Sequence, residues 1–188
     1  MNTRRFSAAL AVALAVTLTA CGEDDDPTVS ASAPATTSPT ASASPPQCPL
    51  LPVEVPAPDG ATTDLAVKPT IAPSSEPPPS EVEVADIVEG DGDEAVTGSQ
   101  VEVKYVGAFY DTGEEFDSSW SLGPDETLPF GVCQQGVIPG FAIGPIGMKE
   151  GGRRQITIPS DYGYGPEGSG PIPPDSTLVF VVDLVEVS

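Results

Sequence analysis

At 188 residues the chain can bury one sizeable core with length to spare, but it is too short for two comfortable domains. Its 28 acidic residues against 7 basic ones give a net charge of -21, which repels nucleic-acid phosphates and excludes nucleic-acid binding as the main task. With no histidine anywhere, Ser-His-Asp and Cys-His nucleophile systems and the usual zinc hydrolase sites are excluded as well.

The chain order begins with a leader. Arg4 and Arg5 precede an apolar run from Phe6 to Leu18 and a small-residue exit at Thr19-Ala20, the pattern of an export signal over residues 1–20. The run is short of the roughly 20 apolar residues a permanent span needs, so an uncleaved anchor is the weaker reading. Leu18-Thr19-Ala20-Cys21 resembles a bacterial lipobox. That resemblance implies lipidation of Cys21 with palmitate-type chains and residence on the extracytoplasmic face of the cell membrane. Removal of the leader takes Arg4 and Arg5 with it and leaves the remainder more acidic still.

Residues 21–47 carry Pro, Ser, Thr and Ala around an acidic cluster, Glu23 to Asp26, with no apolar periodicity to offset the cost of ordering. A disordered tether is expected there. Residues 48–80 stay proline-rich but add Leu50, Leu51, Val53, Val55, Leu65, Val67 and Ile71, which reads as an arm or edge strand packed along a domain. If Cys21 carries lipid, Cys48 and Cys133 remain as a pair in an oxidising compartment and are expected to form a disulfide that pins the arm.

From Glu81 the pattern becomes strands separated by turns. Val82 and Val84 alternate with acids, and Val101, Val103 and Tyr105 alternate with Glu102 and Lys104. Asp111-Thr112-Gly113 marks a turn with Phe116 on the return, Leu128 and Phe130 form a third short strand, and Gln155 to Ile158 a fourth. Thr177 to Val187 is the longest, with Leu178, Phe180, Val182 and Leu184 on one face and Val179, Val181 and Val185 on the other, as in a central strand. Only Pro139 to Met148 allows a helix, with its proline near the first helical position. One sheet and one short helix make an α+β domain over residues 81–188.

Six motifs then occur in order: Val103-Lys104-Tyr105-Val106-Gly107, Gly113 to Ser119, Gly136-Val137-Ile138-Pro139-Gly140-Phe141, Gly147 to Arg154, Asp161-Tyr162-Gly163-Tyr164-Gly165, and Ile172-Pro173-Pro174 with Thr177 to Phe180. Together they resemble the FKBP-type peptidyl-prolyl cis/trans isomerases over the whole folded domain. The resemblance implies a twisted antiparallel sheet wrapped around one short helix, and an enzyme that rotates X-Pro amides without metal, cofactor or nucleophile. It implies a pocket of Tyr105, Phe116, Asp117, Val137, Ile138, Phe141, Tyr164, Ile172 and Phe180, with Leu128 where an aromatic residue is common. Phe141 would form the floor, the Ile138 N–H and Tyr164 hydroxyl would bind substrate carbonyls, and Asp117 would face the twisting amide. Without the resemblance, Phe116, Val137 and Phe180 read as core, Asp117 as a turn or cap residue, and the tyrosines as amphipathic surface.

The chain departs from the family between Ser119 and Phe130, a longer loop without the arginine that many members pair with the pocket aspartate. Asp117 is therefore expected either to be held mainly by Tyr164 or to sit with a raised pKa, and Trp120 to fill the gap. The implied partners are X-Pro segments of exported proteins and, through the lipid, the membrane, for a monomeric protein that binds no nucleic acid. The competing reading is a non-catalytic chaperone or scaffold of the same fold. Cation binding at Glu89 to Glu94 is the weakest idea, since the run lacks a calcium-loop pattern and suits a solvated turn.

Overall fold

The computed structural model describes Cys48 and residues 50–188. The expected signal peptide (1–20), lipidated Cys21 and tether (21–47) lie outside the described residues.

Seven strands form one sheet: β1 (Val53–Glu54), β2 (Glu83–Val88), β3 (Gln100–Phe109), β4 (Glu115–Ser118), β5 (Leu128–Gly131), β6 (Arg153–Ile158) and β7 (Leu178–Val187). Their order is β1-β2-β6-β7-β3-β4, and β5 shares the outer edge of β3 with β4. Every pairing is antiparallel except β1 with β2, where Val53 lies beside Glu83 in parallel. The sheet is therefore mixed rather than wholly antiparallel. The exception arises because the arm reaches the edge from outside the run of hairpins and is not turned back by one.

β7 is central, between β6 and β3. Leu178 to Leu184 are buried on both faces, as the double apolar pattern requires. Val185, expected on an apolar face, is exposed instead, because β6 pairs with β7 only as far as Asp183. The inner face packs Val103, Ile156, Ile158, Leu178 and Val182 against the helix α1 (Pro139–Ile143). Gly140 and Gly144 make that approach possible. A Cβ on Gly140 would come within 2.5 Å of Ile158 Cγ2, and one on Gly144 would strike Ile156.

The helix is shorter than the expected Pro139 to Met148. Pro145 has no N–H to donate to the Phe141 carbonyl, so the helical ladder stops at the Gly144 cap. The chain continues as turns, with Ile146 N–H donating to the Ile143 carbonyl at 3.1 Å and Met148 N–H to the Pro145 carbonyl at 2.9 Å. Pro139 stands at the start of the helix, where its missing N–H costs nothing.

The outer face of the sheet is covered by the arm, which is held by polar contacts more than by its apolar residues. Leu50, Leu51, Val53 and Val67 all remain exposed. A disulfide joins Cys48 to Cys133, Cα atoms 5.7 Å apart. Further along, fully buried Arg153 donates through Nη1 to the carbonyls of Thr62 (2.8 Å) and Asp64 (3.1 Å) and through Nη2 to that of Val67 (3.1 Å). Its Nε and Nη2 also grip the Asp183 carboxylate of β7, the latter at 2.7 Å. Successive strand residues point to opposite faces. Arg154 accordingly serves the inner side, paired with Asp86 of β2 and donating to the carbonyls of Gly144 (2.9 Å) and Ile146 (2.8 Å).

Arg153→Met should therefore strip the buried Asp183 of its partner and leave three arm carbonyls short of a donor. Breaking a buried pair in this way costs about 3–5 kcal/mol, whereas replacing both members by apolar residues costs far less. Urea denaturation should show a loss of that order for Arg153→Met and substantial recovery in Arg153→Met/Asp183→Leu. An equal or larger loss in the double variant would refute the account.

Candidate functional site

The inner face of the sheet opens into a cavity of about 180 Å³. β3 contributes Tyr105, β4 Phe116 and Asp117, β5 Leu128, and β7 Phe180. The segment entering α1 supplies Gly136, Val137 and Ile138, the helix supplies Phe141, and Tyr164 comes from the turn after β6. Residues far apart in sequence meet because β3, β4, β5 and β7 are neighbours in the sheet and the helix lies across them.

Phe141 and Phe180 are the deepest walls, 3% and 5% exposed. Their rings meet edge to face with centroids 5.0 Å apart, and Phe180 meets Phe116 at 5.6 Å and 86°. Tyr105 lies edge-on to Phe141 at 5.9 Å, and Phe130 supports Phe141 from behind at 5.1 Å. Such tilted and T-shaped contacts suit the ring quadrupoles and fix each ring against its neighbours. Gly107 on β3 is required beneath them. A Cβ there would stand 2.7 Å from Phe180 and 2.8 Å from Phe116, so any side chain would push the two rings apart.

Asp117 is held by Tyr105, not by Tyr164 as expected from the missing arginine. The Tyr105 hydroxyl donates to Asp117 Oδ2 at 2.7 Å, and the Ser118 N–H donates to Oδ1 at 2.8 Å. Tyr105 wins because β3 and β4 are paired, which brings it across the strand beside Asp117, and the pairing is reinforced at Tyr105 itself. Its N–H donates to Ser119 Oγ at 3.0 Å and its carbonyl accepts from Ser118 Oγ at 3.2 Å. Burial raises the pKa of the Tyr105 hydroxyl well above the usual tyrosine value, and the hydrogen bond to Asp117 and that residue's charge raise it further.

Tyr164 is 38% exposed and stands at the rim. Ile138 precedes the helix in extended conformation, its carbonyl accepting from the N–H groups of Phe141 and Ala142 at 3.0 Å each. Among the described residues its own N–H has no hydrogen-bond partner. The cavity thus carries the Ile138 N–H, one rim hydroxyl and one fixed carboxylate among apolar walls.

Two expected residues are elsewhere. Ile172 is buried in the hydrophobic core and does not line the cavity, because a tight reciprocal turn with Ser169 (2.9 and 2.8 Å) directs it inward. Trp120 does not fill the space beside Asp117. The Ser118 hydroxyl caps the 3-10 turn Ser119–Ser121, and Trp120 lies under the Lys104 ammonium, 5.1 Å from the ring centroid. The remaining expected residues, Leu128 and Val137 included, share the cavity, and Gly136 joins them. Gly136 carries no side chain, so only its place next to Val137 in the motif pointed to it. Among the described residues no group of three or more Cys, Asp or Glu side chains is arranged to hold a metal ion, the turn Glu89 to Glu94 included.

A family model described as FKBP-type peptidyl-prolyl cis-trans isomerase matches residues 92–185. The chain is 48% identical over 118 residues to a probable FK506-binding protein of Corynebacterium glutamicum, covering 63% of this chain and 97% of that one. It is 47% identical over 112 residues to an FK506-binding protein of Streptomyces anulatus, covering 58% and 89%. Among solved structures, FkpA of Escherichia coli superposes with a TM-score of 0.52 at 37% identity, covering 58% of this chain and 49%, about half, of that one.

The raised pKa of Tyr105 has a defined consequence for stability. The folded state holds the phenol proton more tightly than the unfolded chain, so the contribution is complete below the unfolded value of about 10 and is lost as pH rises above it. Denaturation between pH 9 and 12 should show stability falling with pH, and Tyr105→Phe should flatten that fall. An unchanged slope in the variant would sink the assignment.

Proposed function

The chain belongs to the FKBP-type peptidyl-prolyl cis-trans isomerase family, and on that premise we propose that it catalyses rotation about X-Pro bonds in the cavity between Tyr105 and Phe180. The observation that carries this reading is the Tyr105–Asp117 hydrogen bond within an aromatic enclosure. It supplies, by a different partner, the fixed carboxylate that the absent arginine left in question.

The chemistry asks little of reactive groups. The barrier of about 18–20 kcal/mol is the resonance of a planar amide, and the cavity lowers it by fitting the twisted, less resonant amide better than either planar form. Phe141, Phe116 and Phe180 enclose the proline ring and replace water, which favours the charge-separated planar amide. The free Ile138 N–H and the Tyr164 hydroxyl hold substrate carbonyls, so that rotation is confined to the amide between them. Asp117, both of whose carboxylate oxygens are already engaged, stays in one orientation and presents its charge to the amide carbonyl carbon as resonance is lost.

We further infer that the substrates are exported proteins folding outside the membrane, and that a lipid on Cys21 keeps the enzyme there. Support comes from the leader and the lipobox-like Leu18-Thr19-Ala20-Cys21. A disulfide between Cys48 and Cys133 is consistent with an oxidising compartment.

A protease-coupled assay on an X-Pro peptide tests the enzymatic reading. The wild-type chain should accelerate isomerisation, and Phe141→Leu, which keeps the core filled but removes the aromatic floor, should lower kcat/KM about tenfold or more, or roughly 1.4 kcal/mol of transition-state stabilisation. Tyr164→Phe should cost less, since Tyr164 stands exposed at the rim, where water can replace its hydroxyl. No acceleration by a folded wild-type chain would identify a binding module of the same fold instead.

A further inference from the structure

A larger cleft, about 520 Å³, lies beside the aromatic cavity. Phe109 and the Pro173-Pro174 pair give it an apolar lining, and Pro78 of the arm forms part of its wall. A single pair of rings separates it from the cavity: Phe109, which lines the cleft, packs at 48° against Phe116, which lines the cavity, with centroids 5.2 Å apart. The walls are also braced to one another. Tyr110 N–H donates to the Thr177 carbonyl at 3.1 Å, and Ser74 N–H of the arm donates to the Tyr110 carbonyl at 2.8 Å. The cleft thus joins the tip of the β3–β4 hairpin, the loop before β7 and the arm, and the arm lies outside the residues the family model matches.

Its charge has one sign. Asp111, Glu114 and Asp175 line it, and no Lys or Arg does. Asp175 holds a left-handed backbone, φ 57°, at the cleft rim.

We propose that this cleft is an extension of the substrate site, and that it takes the segment flanking the proline when that segment is basic, a lysine or arginine next to apolar residues. The inference rests on the isomerase reading above and adds selectivity to it. An apolar lining with acidic edges fits the long apolar stem and cationic head of such side chains. Because only the Phe109–Phe116 ring pair lies between the two, the flanking residues are within reach of the cleft while the proline occupies the aromatic cavity. The arm, by supplying Pro78 and the Ser74 brace, helps to complete the wall.

The test compares X-Pro peptides that differ only in flanking residues, with Lys, Gln or Glu at each of the two positions on either side of the X-Pro pair. At low salt kcat/KM for the best-placed Lys peptide should exceed that of its Gln counterpart about three- to tenfold, and Glu should reverse the preference. The preference should shrink in about 0.5 M NaCl, where the Debye length is only a few ångströms. It should vanish in D111N/E114Q/D175N, whose Asn at residue 175 tolerates the left-handed backbone, with the Gln peptide turned over as before. It should survive in D91N/D93N/E94Q, which removes equal charge from a distant turn. Equal rates for Lys and Gln peptides, or equal loss of preference in both triple variants, would overturn the proposal. A failure to accelerate even the Gln peptide would instead refute isomerase activity itself.

Discussion

Two adjacent buried guanidinium groups hold this fold together. Burying a cation costs several kcal/mol unless its donors are matched, and a guanidinium has five to match. Arg153 uses all five, two on Asp183 and three on arm carbonyls. Arg154 places two on Asp86 and two on the carbonyls of Gly144 and Ile146. Since neighbours on a strand face opposite ways, one pair of residues ties the arm to the outer face and the end of the helix to the inner one. The helix held at Gly144 begins beside Ile138 and carries Phe141, so the position of the cavity floor and of its free N–H follows from where Arg154 anchors the turn.

The arm explains a burial pattern that the rest of the domain could not. Val179 and Val181 of β7, and Val106 and Ala108 of β3, face away from the helix yet are buried. Residues 68–71 lie over Val106 and Ala108, with Pro69 itself buried. Proline suits this role because a chain crossing a sheet face forms no ladder and gains from a restricted backbone. With so little apolar surface of its own, the segment depends on fixed points: a disulfide at Cys48, a short parallel pairing at Val53, and the Arg153 donors at residues 62–67.

Strand positions were legible in the sequence wherever one face is wet and one dry, as at Val101 to Tyr105, because alternation is a direct record of burial. The central position of β7 followed from its double apolar pattern. Apolar residues continue to Met148 and carry the helical pattern past its true end, which Pro145 sets by lacking the N–H that the ladder needs. Most of the cavity was recovered by motif order, a relation among distant residues that no local pattern carries. What stayed hidden depended on pairing and packing across strands. Tyr105 reaches Asp117 because β3 and β4 are neighbours, Ile172 turns inward at a reciprocal bond with Ser169, and Trp120 is drawn to Lys104. Arg153 and Arg154 gave no signal of burial, since arginine in a sequence reads as surface.

The proposed reaction breaks no covalent bond, which leaves shape as its main lever, and the fold suits it by distributing the cavity walls over separate, independently anchored elements. Phe116, Phe141 and Phe180 come from an edge strand, a helix and the central strand, and each ring contacts at least one other edge to face. Displacing one would require moving an element that is fixed elsewhere, by the sheet ladder or by Arg154. The side chain that is missing matters as much as those present, because the rings of Phe116 and Phe180 can meet over β3 only where Gly107 has no Cβ. The polar groups follow the same logic. The Ile138 donor belongs to the backbone and is lost only by substitution with proline, while Asp117 is engaged at both oxygens and so is held in one orientation. Rigidity of this kind, built from packing and hydrogen bonds rather than from reactive groups, is what the proposed isomerisation would ask of a chain without histidine.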